Sequence, residues 1–233
     1  MALFTGLIVG HVIAGTVALT SFWVPIVARK GGSAHRKWGR VFYYAVCVAG
    51  WLAIAMALLN LTFADNRHPT LTDRELFEGL FGWMMLYLGV LTLGLATYGA
   101  GQARARRTDG AIPMRRHLPI QAAVLTAALI CAIDGIALRQ PLMIALALLG
   151  IGTAVTFIMA IVRPSPDKSA PIGEHLKAMV GAGIAAYTAF LSVGLLQVFP
   201  AYVFNPVIWS VPSLIGTAII LFQIRYQIGR AHV

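Results

Sequence analysis

Three histidines stand where apolar stretches begin: His35 in AHRKWGR, His117 in RRHLPIQ and His175 in GEHLKAM. Neutral imidazole is the commonest side-chain ligand of d-block metals. Three of them, with a fourth position left to water, make an open zinc site of the catalytic type. His35, His117 and His175 are therefore candidate metal ligands. The competing reading is that histidine is at home at any membrane interface, and no HxxxH or HExxH spacing locks two of these onto one helix face. A basic cluster at a helix N-terminus also suits an anion, so His35, Arg36 and Arg40 form a candidate ligand-binding set, the arginines holding phosphate or carboxylate by charge-assisted hydrogen bonds.

A second constellation lies within the apolar stretches themselves. His11 sits well inside the first of them, and Asp134 in LICAIDGIAL is the acid inside a later one. Ionisable groups at such depth are costly and face the bundle interior. His11 and Asp134 are thus expected either to pair or to be satisfied separately, His11 by a backbone carbonyl and Asp134 by water or Arg139. A haem ligand is a further role open to His11. His68, in DNRHPTLTD, reads as an exposed loop residue. Gln121 follows His117 by one helical turn, and Asn60, Gln197 and Gln223 read as interhelical hydrogen-bonders. No serine nucleophile motif, phosphate-binding loop, paired-carboxylate arrangement or dinucleotide fingerprint is present, so no catalytic residue is assigned.

These residues must be positioned by membrane-spanning helices. The chain is 59% hydrophobic with only 11% charged residues, far from the composition of a soluble domain. A crossing takes about 20 apolar helical residues, and seven stretches qualify: 2–28, 41–64, 79–101, 117–138, 141–163, 176–199 and 206–225. The fold class predicted is all-α, a polytopic seven-helix membrane bundle. Fourteen Lys and Arg fall on one side, including Arg29, Lys30, Lys37, Arg104, Arg107 and Arg116, against three on the other, Arg67, Arg74 and Arg139. The positive side is cytoplasmic, which places the N-terminus outside, the C-terminus inside, and the protein in the cell (inner) membrane. The net charge of +10 is accounted for by this topology and by anionic lipid headgroups, and requires no nucleic acid.

Small residues at four-residue spacing mark helix contacts in lipid. Such stripes occur at Gly6, Gly10, Ala14 and Ala18, and at Ala178, Ala182 and Ala186 beside Gly181, Ala185 and Ala189, which predicts that the first and sixth spans are central. Pro25 and Pro212 lie inside helices and predict kinks. Cys47 and Cys131 read as apolar core residues near opposite membrane faces, too far apart for a disulfide. Residues 1–227 read as a single membrane domain. Residues 228–233, IGRAHV, translate one frame of a common sequencing-adapter stretch and are read as adapter read-through.

His11 with Gly15 and Ala18-Leu19, followed by His35-Arg36, Gly39-Arg40 and Tyr43, resembles an uncharacterised family of bacterial multi-span membrane proteins, domain of unknown function 2306, over about the first 60 residues. The resemblance implies a multi-span fold and marks His11, His35, Gly39 and Arg40 as positions of interest; it implies no activity. In layout alone the chain is similar to seven-span zinc hydrolases of the adiponectin-receptor type, which use an HxxxH pair where this chain has His175 and Met179, and to haem proteins of the cytochrome b561 type. Three functions remain open: a zinc- or haem-dependent ligand-binding protein or enzyme, a small-solute or proton-coupled transporter using His11 and Asp134, and a structural accessory subunit of a membrane complex. Oligomeric state is not legible.

Overall fold

The computed structural model describes the backbone of residues 2–63, 73–108, 112–165, 167, 169–198 and 206–231, and the side chains of all of these but 108, 191–198, 206, 208, 209 and 224–231. The regular structure among them is entirely helical, in seven continuous runs. They are α1 (Ala2–Val27), α2 (Ser33–Thr62), α3, α4 (Met114–Ala137), α5 (Pro141–Val162), α6 (Ala170–Val198) and α7 (Pro206–Ala231). Helix α3 starts as one α-helical turn at Arg74–Phe77, widens into a π-helical segment at Glu78–Met84, and continues as α-helix through Met85–Thr108.

Among the described residues five helices, α1 to α5, are long and apolar enough to cross a membrane. Their outward faces carry Val12, Ile13, Trp51, Ile133, Ile136 and Leu148, all exposed. In water such continuous apolar surface would drive association; in hydrocarbon it is the ordinary exterior of a bundle. The helices run further than the apolar stretches do. Helix α2 begins at Ser33 and α3 at Arg74, so His35, Arg36 and Arg40 stand on the first two turns of a helix. The reason is physical: apolar length measures the hydrocarbon layer, whereas a helix continues into the headgroup region, where charged side chains are solvated.

The centre of the bundle is α3, which corrects the expectation that the first and sixth spans are both central. Of its apolar window 61% is buried, against 17% in α1 and 28% in α2, α4 and α5. It packs on α2, α4 and α6, and Tyr87 and Tyr98, both fully buried, extend it to α5. The Tyr87 hydroxyl donates to the Leu146 carbonyl of α5 at 2.7 Å, and the Tyr98 ring stacks on Phe157 of α5 with centroids 4.0 Å apart. The α6 stripe does meet α3: Ala178 and Ala182 are fully buried, and a side chain on Gly181 would press on Leu95. The α1 stripe only half engages. Gly10 approaches Leu52 of α2 and Ala18 is buried, but Gly6 has open space before it.

Two glycines on one helix separate close packing from helix propensity. A Cβ at Gly150 would overlap the Tyr87 hydroxyl, whereas a Cβ at Gly152 would meet nothing within 4 Å. Gly150→Ala is expected to destabilise by about 1–3 kcal/mol through overpacking. Gly152→Ala is expected to be neutral or to stabilise by up to about 1 kcal/mol. Thermal unfolding of the two variants in detergent checks the difference.

Candidate functional site

The basic end of the bundle is built from two helix corners. Helix α1 ends at Val27, and Gly31, at a φ of 73°, occupies the left-handed region that lets the chain reverse into α2. The last carbonyls of α1 are then capped by side chains. Lys30 Nζ donates to Pro25 O at 2.9 Å and Ile26 O at 2.7 Å, and His35 Nδ1–H donates to Pro25 O at 3.1 Å. Desolvation at this helix end holds Lys30 below the ordinary lysine range. The Arg36 guanidinium donates to the Gly31 carbonyl, so it holds the corner together. Arg40 is exposed one turn further along.

Opposite this corner, α6 docks on α3 through two consecutive residues against two consecutive residues. His175 Nδ1–H donates to Gly99 O at 2.8 Å, and the Tyr98 hydroxyl donates to Glu174 Oε2 at 3.1 Å. Glu174 Oε1 takes Lys177 Nζ at 2.7 Å. A carbonyl oxygen only accepts, so in both His35 and His175 the proton is on Nδ1 and the lone pair is on Nε2. The two rings lie edge to face with centroids 6.4 Å apart.

His117 does not join them, which corrects the three-histidine zinc site. It packs against the Tyr98 ring from α4, with centroids 6.4 Å apart, and rests on Gly101, where a Cβ would come within 2.7 Å of its Cε1 and Nε2. Only 4% of it is exposed, and its Nδ1 has no partner. Among the described residues no three His, Cys, Asp or Glu side chains converge as a metal-holding group. His35 and His175 adjoin, while His117 packs on Tyr98. One turn deeper, Gln121 Nε2 donates to Gly94 O at 3.1 Å.

At the other end His11 and Asp134 are not joined by a hydrogen bond or ion pair. His11 Nδ1–H donates to the Ala49 carbonyl of α2 at 2.9 Å. Asp134 lies against Gly79 in the π-helical segment of α3, and its buried Oδ2 has no partner. The separation follows from the packing: α1 lies on α2 and α6, and α4 on α3 and α5. Asn60 donates to Phe81 O across the same π-helical segment at 3.1 Å. Cys47 and Cys131 are free thiols. His68 and His232 lie outside the described residues.

Sequence reasoning missed Tyr98 and Glu174. The available signal was Glu174 itself, an acid directly before a histidine in a segment whose neighbours are basic. No family model, curated protein or solved structure matches the chain, so the site is read from its geometry alone.

The Tyr98–Glu174 contact generates a stability prediction. Tyr98→Phe and Glu174→Ala are each expected to destabilise by on the order of 1 kcal/mol, with the double variant falling short of their sum, because the two share one hydrogen bond while Glu174 also holds Lys177. Thermal unfolding of the four proteins in a double-mutant cycle measures the coupling.

Proposed function

We propose that the chain is an integral membrane protein of seven transmembrane helices, N-terminus outside and C-terminus cytoplasmic, seated in the cell (inner) membrane. Its function is to bind a ligand or metal-containing cofactor at its basic end, through His35 and His175. One observation carries this reading: two imidazoles from different helices adjoin with each Nδ1–H held by a backbone carbonyl. A metal-ligating histidine almost always has its other ring nitrogen held in this way, which fixes ring orientation and tautomer before the ligand arrives. The same two hydrogen bonds cap the end of α1 and dock α6 on α3, and in doing so they leave both rings oriented. Arg36 and Arg40 sit on the same helix turns and favour an anionic group nearby, lipid phosphate included. The resemblance in the first two spans is consistent with His35 and Arg40 as positions of function.

The test is elemental and haem analysis of detergent-purified protein, made without chelators. The expected result is a near-stoichiometric metal or haem that is lost in His35→Ala and His175→Ala and kept in His117→Ala, since His117 stands apart from the pair. Equal retention in all three variants, or no bound metal in folded protein, rejects a metal cofactor at this site.

A second reading, proton-coupled transport through Asp134, has its own support in the partnerless Oδ2 beside the π-helical segment. Wide π turns recur at functional positions, and intramembrane carboxylates mark ion and proton paths. It predicts proton flux in reconstituted vesicles that Asp134→Asn abolishes and His35→Ala leaves intact. Flux that survives Asp134→Asn rejects it.

A further inference from the structure

The protein side of the histidine pair contains a third donor that a search for histidines, thiols and carboxylates passes over. Met179 follows His175 by four residues and therefore lies on the same face of α6, one turn deeper. Its Sδ packs on Gly99 of α3, so close that a Cβ there would come within 2.8 Å of the sulfur. The carbonyl of that same Gly99 holds His175 Nδ1–H. The thioether and the imidazole thus meet α3 at one residue, and the absence of a side chain at Gly99 is what admits the sulfur.

We propose that His35, His175 and Met179 form a site for a soft monovalent d-block cation, cuprous copper in the first instance. This deepens the ligand-binding reading above and rests on it.

Three features favour that ion. The first is geometry. Metal–imidazole bonds of about 2 Å, with about 1.1 Å more from nitrogen to ring centre, place two trans imidazole centroids roughly 6 Å apart, and the observed separation is 6.4 Å. The rings stand edge to face, so one of them has to turn for both Nε2 atoms to meet one ion. The second is donor chemistry. Two neutral imidazoles and a thioether are soft to borderline ligands without charge, a set that suits Cu(I) and lacks the carboxylates or thiolates that help hold divalent ions. The third is the surrounding charge. Lys30 and Arg36 lie within electrostatic range of His35, and Arg107 and Lys30 within range of His175. Their repulsion scales with the charge of the guest, so a dication is penalised twice as heavily as a monocation. Glu174, the acid nearest the pair in sequence, is already engaged by Tyr98 and Lys177. A zinc dication would have only neutral donors and cationic neighbours.

The experiment uses the purified full chain in detergent, stripped of metal and kept anaerobic. Cuprous ion is titrated in competition with a chromophoric Cu(I) chelator, with Ag(I) as a redox-inert surrogate and Zn(II) in parallel. One equivalent of Cu(I) is expected to bind, displaceable by Ag(I), with Zn(II) weaker by roughly a hundredfold. His35→Ala and His175→Ala are expected to weaken Cu(I) by roughly a hundredfold or more, and Met179→Leu by roughly tenfold. Leucine conserves the volume packed on Gly99, so Met179→Leu decides the matter even where a histidine variant fails to fold, with helical content and unfolding midpoint as controls. Cu(I) affinity unchanged in Met179→Leu, or Zn(II) bound as tightly as Cu(I), overturns the cuprous site while leaving a ligand on the histidine pair. Loss of iron or zinc binding in His35→Ala, with no Cu(I) binding by the parent, has the same meaning. A folded parent that binds none of the three metals overturns both.

Discussion

A helix with neighbours on several sides has to be thin on several sides, and α3 is that helix. Gly79 faces Leu138 and Asp134 of α4, Gly82 faces Leu61 of α2, and Gly89 faces Ile54 of α2. Gly94 faces Val124 and Gln121 of α4, Gly99 faces Met179 of α6, and Gly101 faces His117 of α4. Without a hydrophobic force between helices in lipid, close backbone approach is what holds them together. The large residues of α3 then do the opposite job: Tyr87 and Tyr98 reach outward from the centre to hydrogen-bond α5 and α6. The candidate polar residues depend on this arrangement. His175 hydrogen-bonds Gly99, His117 rests on Gly101, and Asp134 rests on Gly79. Moving α3 would release all three.

The same constraint explains what was legible in the sequence. Apolar length located the helices, because the cost of leaving backbone groups unpaired in hydrocarbon makes a long apolar run helical whatever its neighbours are. It misplaced their ends, since nothing in hydropathy marks where a helix stops once it reaches headgroups. The four-residue stripes found α6 correctly, because α6 presents Ala178 and Ala182 to one partner along one line. They missed α3, whose glycines at 79, 82, 89, 94, 99 and 101 follow no such spacing. A stripe marks one line of contact, whereas α3 turns its glycines to α2, α4 and α6 and so spreads them around its circumference. They also overrated α1, where Gly6 has no neighbour within reach.

Depth alone brought His35 and His175 to the same end of the bundle, and that much could be read from the order of spans. That His117 would pack on Tyr98 and not join them could not, since Tyr98 in LATYGAG reads as one more amphipathic filler. Its role comes from being enclosed, with its ring against Phe157 and His117 and its hydroxyl on Glu174. Nor does spacing reveal that Gly99 is touched by both His175 and Met179, because the residue that makes the contact possible contributes no side chain to be noticed.

The polar groups packed around α3 differ in how completely they are satisfied. At the basic end the paired histidines are each held by a carbonyl, and Glu174 has a partner on both oxygens. Such a network fixes tautomers and ring planes in advance, which is what a binding site needs. At the opposite end the π-helical segment is flanked by Asn60 Oδ1 and Asp134 Oδ2, both buried without partners. Unpaired polar atoms in a low-dielectric interior are costly, and a wide turn in the same place adds to that cost. At the basic end His117 Nδ1 is likewise buried without a partner. Two of the unpaired atoms thus sit where α4 meets a glycine of α3, Asp134 on Gly79 and His117 on Gly101, so the close approach that holds the two helices together also encloses polar groups it leaves without partners.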